Sequence, residues 1–576
     1  MENCFFTQNK NSEKENLNLI NLISAQKISL RKQIMTKSRL SSRLKSIKNV
    51  TYEESFYQIN LNKLNLNNNE NIIKFNSSSN EIEKLNILFN LLIQNDINLL
   101  KFSIFHIRNI LDDFDVKRAK ILNLNKIITN DAINFFFKLL YENLNDKQMI
   151  YELCYVIILL IYLEVFDLNI FINNSQKIFN LSQKFNDPIL IKKLIWILGL
   201  ISNFLYNDEI NKFLDSLQNF YLFIINSIEE LENLNNFQVN NANIDLICIE
   251  IWIYGIFYNN KYYKIKNLIE DENKCAKHIK IISQFCKKNI YNNLYSESLD
   301  TICYIINEIT NNHLNILNEN DNLHNKYKAI FKSCGFIENL IPNLNNFSEI
   351  EEPKNIINIL IFISYLSDKS MLKMIDYDIC ENIEKLLFTI NSRESLNECK
   401  RLIIMILDLI NNFTIKYKYI NPFVRQTDCF NYLFNIINKT GNLNQRLNLL
   451  EIFDNIFELN NKKLITELVM GNLPEFYVEC LKINESSKTN LIIELTLKGI
   501  GKLLNYGDEF NKNTLNDNNN VIKVNLLENT FETLNINYLL EKISLSKNSQ
   551  KNSEIANYLL EKYFSHNNNK NDNNNI

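Results

Sequence analysis

Few side chains in this sequence stand at spacings that chemistry requires. The five histidines, His106, His278, His313, His324 and His566, lie far apart, and none forms an HExxH-type metal pair. No phosphate-cradling Gly-rich loop, GxGxxG or GxSxG motif occurs. KGIGK (498–502) has two glycines but sits inside a helical pattern. Asp112/Asp113 and Glu351/Glu352 are the ordinary acidic pairs of a solvated surface. The 11 cysteines, Cys4, Cys154, Cys248, Cys275, Cys286 and Cys303 among them, include no CxxC pair and read as reduced, mostly buried thiols. An enzyme site needs several converging groups, and none announces itself, so no catalysis, cofactor or metal is expected.

What does recur is a large apolar or aromatic position. Tyr155, Trp196, Trp252, Tyr304 and Ile361 follow one another at steps of 41, 56, 52 and 57 residues. Each sits in an apolar helical stretch, such as QMIYELCYVIILLIYLE (148–164), LIKKLIWILGLISNFL (190–205) or IDLICIEIWIYGIFY (244–258). These stretches are apolar on more than one side, as the innermost helix of a stacked repeat must be. Most are followed by a polar turn and a second amphipathic helix. Armadillo and HEAT units run about 40–47 residues, so some turns carry insertions, as FQVNNAN (237–243) and LNENDNLHNKYK (317–328) do. A single unit cannot cover its own apolar faces, whereas stacking does.

Composition agrees. The chain has 576 residues with only 8 Gly and 5 Pro, too few for a sheet protein's turns and without a Gly- or Pro-rich linker. Asn takes over turn positions, since it tolerates left-handed backbone at helix ends. The Asn, Lys and Ile bias of the whole chain lowers the meaning of any single Asn. The formal net charge of −3 disfavours a globally basic nucleic-acid binder. The longest apolar run, Tyr155 to Leu163, is too short to cross a bilayer, and the N-terminus is not built like a signal peptide. The expected fold is all-α: an armadillo/HEAT-type right-handed superhelical solenoid over 81–564, with a concave inner surface. A basic segment (1–50) and a linker (51–80) precede it, and a disordered tail (565–576) follows. Residues 27–48 carry Lys27, Arg31, Lys32, Lys37, Arg39, Arg43, Lys45 and Lys48, with no acid between Glu15 and Glu53. This is either a solvated basic tail or a segment that folds on a partner.

The order of features resembles the importin-α family of nuclear import adaptors. A basic segment with LRK (30–32) and KNV (48–50) precedes about nine units. LIWILGLISN (194–203) resembles the family's WALGN helix, and ISYLSDKSMLKMID (363–376) its SYLSDG motif. GNLPEFYVECL (471–481) is similar to its second-helix pattern. TLKGIGKLLNYGDE (496–509) and EIANYLLEKYF (554–564) are similar to its closing helices. The resemblance implies a groove in which Trp rings hold the stems of cargo lysines and Asn side chains clamp the cargo backbone. Carried over residue by residue, Trp196, Trp252, Tyr155 and Tyr304 would be slot aromatics, Asp368 a nearby acid and Asn455 a clamp. The pattern departs at Leu200, Ile256 and Glu308, which stand where the clamp Asn would follow, and at Glu451, which replaces a Trp.

Two functions follow as expectations. In the first, the chain is an import adaptor of cytoplasm and nucleus, binding basic signals of cargo proteins and, through residues 27–48, an importin-β-type carrier. In the second, it is an armadillo scaffold that has lost the signal-binding groove, with Trp196 and Trp252 as core residues and Asp368 as a turn residue. An acidic, aromatic-studded groove favours the first. Direct nucleic-acid or membrane binding is not expected.

Overall fold

The computed structural model describes Leu64 and residues 69–564, apart from 95, 166, 205–217, 234–240, 260–271, 287–291, 313–321, 348–349, 394–395, 416, 484–486, 515–524 and 547. Every regular element among the described residues is a helix. The chain divides into two compact units. Unit 1 comprises Met1–Tyr221 with Asn240–Ile249, and unit 2 Leu222–Val239 with Glu250–Ile576.

In unit 1 the helices are α1 (Glu70–Ser77), α2 (Glu81–Leu92), α3 (Ile97–Asp112), α4 (Val116–Ile121), α5 (Leu124–Ile127), α6 (Asn130–Glu142), α7 (Lys147–Tyr162), α8 (Leu168–Ser182) and α9 (Pro188–Phe204). Their starts follow from short polar side chains. Asn69, Asn80, Asp96, Asp115, Thr129, Asp146 and Asp167 each accept a first-turn N–H, which satisfies donors that the helix itself leaves free. Helix α1 lies inside the stretch read as linker. Ile72 and Phe75, three apart, give it a buried face, and Phe75 meets the rings of Phe102 and His106. The long helices α3, α7 and α9 pack side by side.

Helices α10 (Gln218–Glu230) and α11 (Asn241–Asn259) contribute residues to both units. Unit 2 continues with α12 (Glu272–Ser283), α13 (Asn292–Asn312), α14 (Asn322–Ser333), α15 (Phe336–Leu340), α16 (Glu351–Leu366), α17 (Asp368–Asp376), α18 (Ile379–Asn391), α19 (Lys400–Thr414), α20 (Tyr417–Arg425) and α21 (Cys429–Thr440). It closes with α22 (Leu443–Glu458), α23 (Lys462–Met470), α24 (Leu473–Leu481), α25 (Ser487–Thr514), α26 (Leu526–Thr533), α27 (Ile536–Ser544) and α28 (Gln550–Leu559).

From α14 onward the elements come in threes, two short helices and a longer one. Like packs on like: α16, α19, α22, α25 and α28 form one row, α18, α21 and α24 another, and α17, α20 and α23 a third. This is the three-helix armadillo repeat, stacked. The turn between the two short helices passes through left-handed backbone at Gly335, Asp378, Asn472 and Asn535, as does Asn123 before α5. Only Gly takes that conformation freely, and Asn and Asp take it at low cost. The chain's poverty in Gly is therefore made good by Asn and Asp at the positions that need it.

Candidate protein-binding surface

In unit 1, Tyr155 is wholly enclosed on α7 (0 % exposed). Its ring is approached by cations of this same chain. The Arg108 guanidinium, from α3, lies 4.6 Å from the ring centroid. The Lys193 Nζ, from α9, lies 5.1 Å from it and 5.1 Å from the Tyr151 ring one turn earlier. Arg108 Nη1 also donates to both carboxylate oxygens of buried Glu152, at 3.1 and 3.0 Å. Burial opposes the charge on Arg108, but the Glu152 carboxylate outweighs it, so the guanidinium is held more firmly protonated than usual. A ring in the position expected to hold a partner's lysine is thus enclosed, with two cations of its own chain over it. Trp196, on α9, is half-buried, and Leu200 four residues on is buried in the core.

The unit 2 candidates stand on four helices, of which α11 and α13, carrying Trp252 and Tyr304, pack together through Thr301, whose Oγ1 donates to the Ile251 carbonyl at 3.0 Å. Trp252 on α11 is 2 % exposed and Ile256 likewise, so that indole is a core residue and presents no face to a ligand. α11 is apolar nearly all round, which is why spacing alone does not reveal its orientation. Tyr304 on α13 is half-buried, its ring laid against Gly255, where a Cβ would come within 3.1 Å of it. Asp368 does not end a helix. Ser367 caps the next one, accepting the N–H of Ser370, and Asp368 is the first residue of α17, where a negative charge suits the helix dipole. Asn455 on α22 donates through Nδ2 to Asn411 Oδ1 on α19 at 2.9 Å, so its amide ties two repeats together.

That bond belongs to a series that sequence reading missed. Asn412 Nδ2 donates to Ser364 Oγ (2.7 Å), Asn448 Nδ2 to Asp408 Oδ1 (3.3 Å) and Lys502 Nζ to Asp454 Oδ1 (2.5 Å). Each rung joins one long helix to the next, from α16 through α19 and α22 to α25. The Asp408–Asn448 and Asn411–Asn455 rungs set the partly exposed positions of α19 and α22 on one side of the row, and Tyr365 of α16 lies beside Asn412 and Asp408. On α16 these are Asn358, Ile361 and Tyr365, on α19 Ile404, Met405, Asp408 and Asn411, and on α22 Leu447, Asn448, Glu451, Asp454, Asn455 and Glu458. Their spacing of three, four and seven residues is one helix face. The α22 face carries Glu451, Asp454 and Glu458, of which Asp454 is paired to Lys502 of α25, while Tyr365, at 45 % exposed, and Ile361 supply apolar area on α16. The Asn-rich composition hid these rungs, because no Asn stood out from the rest.

Another cluster, also invisible in sequence, forms at His278. Its Nδ1 meets Tyr254 Oη, and its Nε2 lies 3.3 Å from Glu229 Oε1. Burial holds this imidazole below its usual pKa, against the pull of Glu229. Nearby on α11, burial pushes the Glu250 carboxyl up to about 7. The enclosed Tyr254 and His278, with the partly exposed Glu229, tie α10, α11 and α12 together. Among the described residues no group of three or more His, Cys, Asp or Glu is placed to hold a metal ion, and no helix is long and apolar enough to cross a membrane. Lys27, Arg31, Lys32, Lys37, Arg39, Arg43, Lys45 and Lys48 lie outside the described residues.

No family model matches the chain, and no curated protein matches it. Among solved structures it is similar to an engineered protein at 14% identity and a TM-score of 0.51, over 84% of this chain and 98% of that one. A structure from work on the interaction between cadherin and beta-catenin aligns at 12% identity and TM-score 0.41, over 87% of this chain and 99% of that one. A designed armadillo repeat protein in complex with the peptide (KR)4 aligns at 13% identity and TM-score 0.27, over 59% of this chain and 98% of that one. At these identities the likeness is one of fold.

Proposed function

We propose that this chain is a non-catalytic, protein-binding armadillo scaffold whose recognition surface is the partly exposed face of α16, α19 and α22. The observation that carries this reading is the acidic and apolar composition of that face, with its Asn rungs. It suits a partner segment bearing cationic and apolar side chains, drawn in by charge and held by contact.

A narrower reading, the import adaptor of cytoplasm and nucleus, is supported by the basic segment 27–48 and by the acids of α22. There the segment would engage an importin-β-type carrier and basic signals of cargo would lie near Trp196. Against it stand the covered ring of Tyr155, the buried indole of Trp252 and the engaged amide of Asn455.

Titration of a fluorescent lysine-rich peptide separates the two. Under the scaffold reading, Glu451→Lys with Glu458→Lys weakens binding at least about tenfold, with strong salt dependence, while Trp196→Ala changes it less than about twofold. Loss of binding in Trp196→Ala alone would return the site to unit 1 and favour the adaptor. No binding by the parent chain would end both readings.

A further inference from the structure

Lys193 is 1 % exposed, an unusual place for a lysine, and its surroundings explain it. Lys192 and Lys193 are adjacent on α9, so their side chains leave the helix about 100° apart. Lys192 Nζ reaches Asp245 at 2.9 Å, and Lys193 turns the other way, onto the Tyr151 and Tyr155 rings of α7. Those rings stand one turn apart and take the ammonium between them at equal distance. Glu152, between them in sequence and wholly buried, pairs with Arg108, whose guanidinium also lies over the Tyr155 ring. The arrangement has the parts of an ammonium-binding site: two ring faces and a buried carboxylate on the same helix.

We propose that α3, α7 and α9 form a site for a primary alkylammonium group, and that Lys193 fills it as an internal ligand. With Lys193 seated, unit 1 is closed to a lysine side chain arriving from outside. With Lys193 withdrawn or truncated, the two rings accept one. This inference concerns unit 1 alone and does not depend on the surface assigned to unit 2.

Truncation supplies the test, because Lys193→Ala removes a fragment with the size and charge of n-propylammonium. The full-length variant is titrated with n-propylammonium and, in parallel, with n-propanol, which has similar volume and no charge. The melting temperature is followed, together with saturable binding seen in the NMR spectrum of the amine. The expected result is a saturating rise of about 2 °C with the amine in Lys193→Ala. No rise is expected with the alcohol, nor with either compound in the parent or in Lys193→Met, whose thioether chain fills the space without charge. Equal stabilisation by propanol would mean an apolar hole and overturn the assignment. So would an equal response of the parent, or of Lys193→Met, to the amine, or no response of Lys193→Ala. If Lys193→Ala fails to fold alone, recovery of its melting transition by the amine supports the site, and failure to recover overturns it.

Discussion

At the scale of single residues, burial decides which groups can act. His106 sits among the rings of Phe75, Phe102 and Phe105, with the Lys84 ammonium near. Burial first, and then Lys84, lower its pKa from 6.5 to about 4. The fold accommodates the neutral ring, so below pH 6.5 the unfolded chain takes up the proton before the native one does. Stability from this site is therefore complete above pH 6.5 and drains away as the pH falls toward 4. The loss is about 2 kcal/mol once the ring's partial exposure is allowed for. Denaturant melts at pH 7 and pH 4.5 should show the loss, and His106→Phe should remove most of it. An unchanged pH dependence in that variant would place the acid sensitivity elsewhere. The same criterion sorts the sequence candidates. Tyr155 and Trp252 were legible as recurring aromatics on inner helices, but not as enclosed ones. Their covering comes from residues distant in sequence, and α7 and α11 are apolar on every side, so periodicity carries no orientation.

At the scale of elements, the turns and close approaches carry the specificity. Asn472 holds φ 68° ahead of α24 without a side-chain cap. Asn472→Gly should leave stability within about 0.5 kcal/mol of the parent. Asn472→Val, forced into left-handed backbone with a branched Cβ, should cost about 1–2 kcal/mol in urea unfolding. Equal effects of the two would mean that the turn is not strained. Gly499, inside α25, serves packing instead. A Cβ there would stand 2.5 Å from the Tyr477 Oη, whose ring is itself buried. Gly499→Ala should thus destabilise by about 1–3 kcal/mol despite alanine's better helix propensity, and a gain in stability would show that α24 and α25 can part. The helices were readable from apolar spacing, and Asn's turn role from the shortage of Gly. Two element-level features were not. Helix α1 is too short for a clear period, and the Asn412, Asn448 and Asn455 rungs were lost in a chain rich in Asn. Asp368 was misplaced because Ser367, the cap of α17, looks in sequence like a continuation of α16.

At the scale of the molecule, stacked repeats make stability local. Among the described residues each long helix of unit 2 from α16 to α28 packs on the long helix before and after it, and the chain forms two compact units. A break in one part of such an array should stay near its origin. The buried Arg108–Glu152 pair is the sharpest place to make one, since removing Glu152 leaves a guanidinium enclosed without its carboxylate. Glu152→Ala should cost unit 1 about 3 kcal/mol or more. Amide hydrogen exchange read by mass spectrometry should then speed up in α3, α7 and α9 and stay at parental rates in α19, α22 and α25. The expectation follows from repeat architecture, because the rungs among α16, α19, α22 and α25 share no residue with the Arg108–Glu152 pair. A uniform rise across both units would mean that the chain unfolds as one cooperative body. Charge reversals at Glu451 and Glu458 would then disturb the whole array, and their effect on binding would cease to locate the partner's surface.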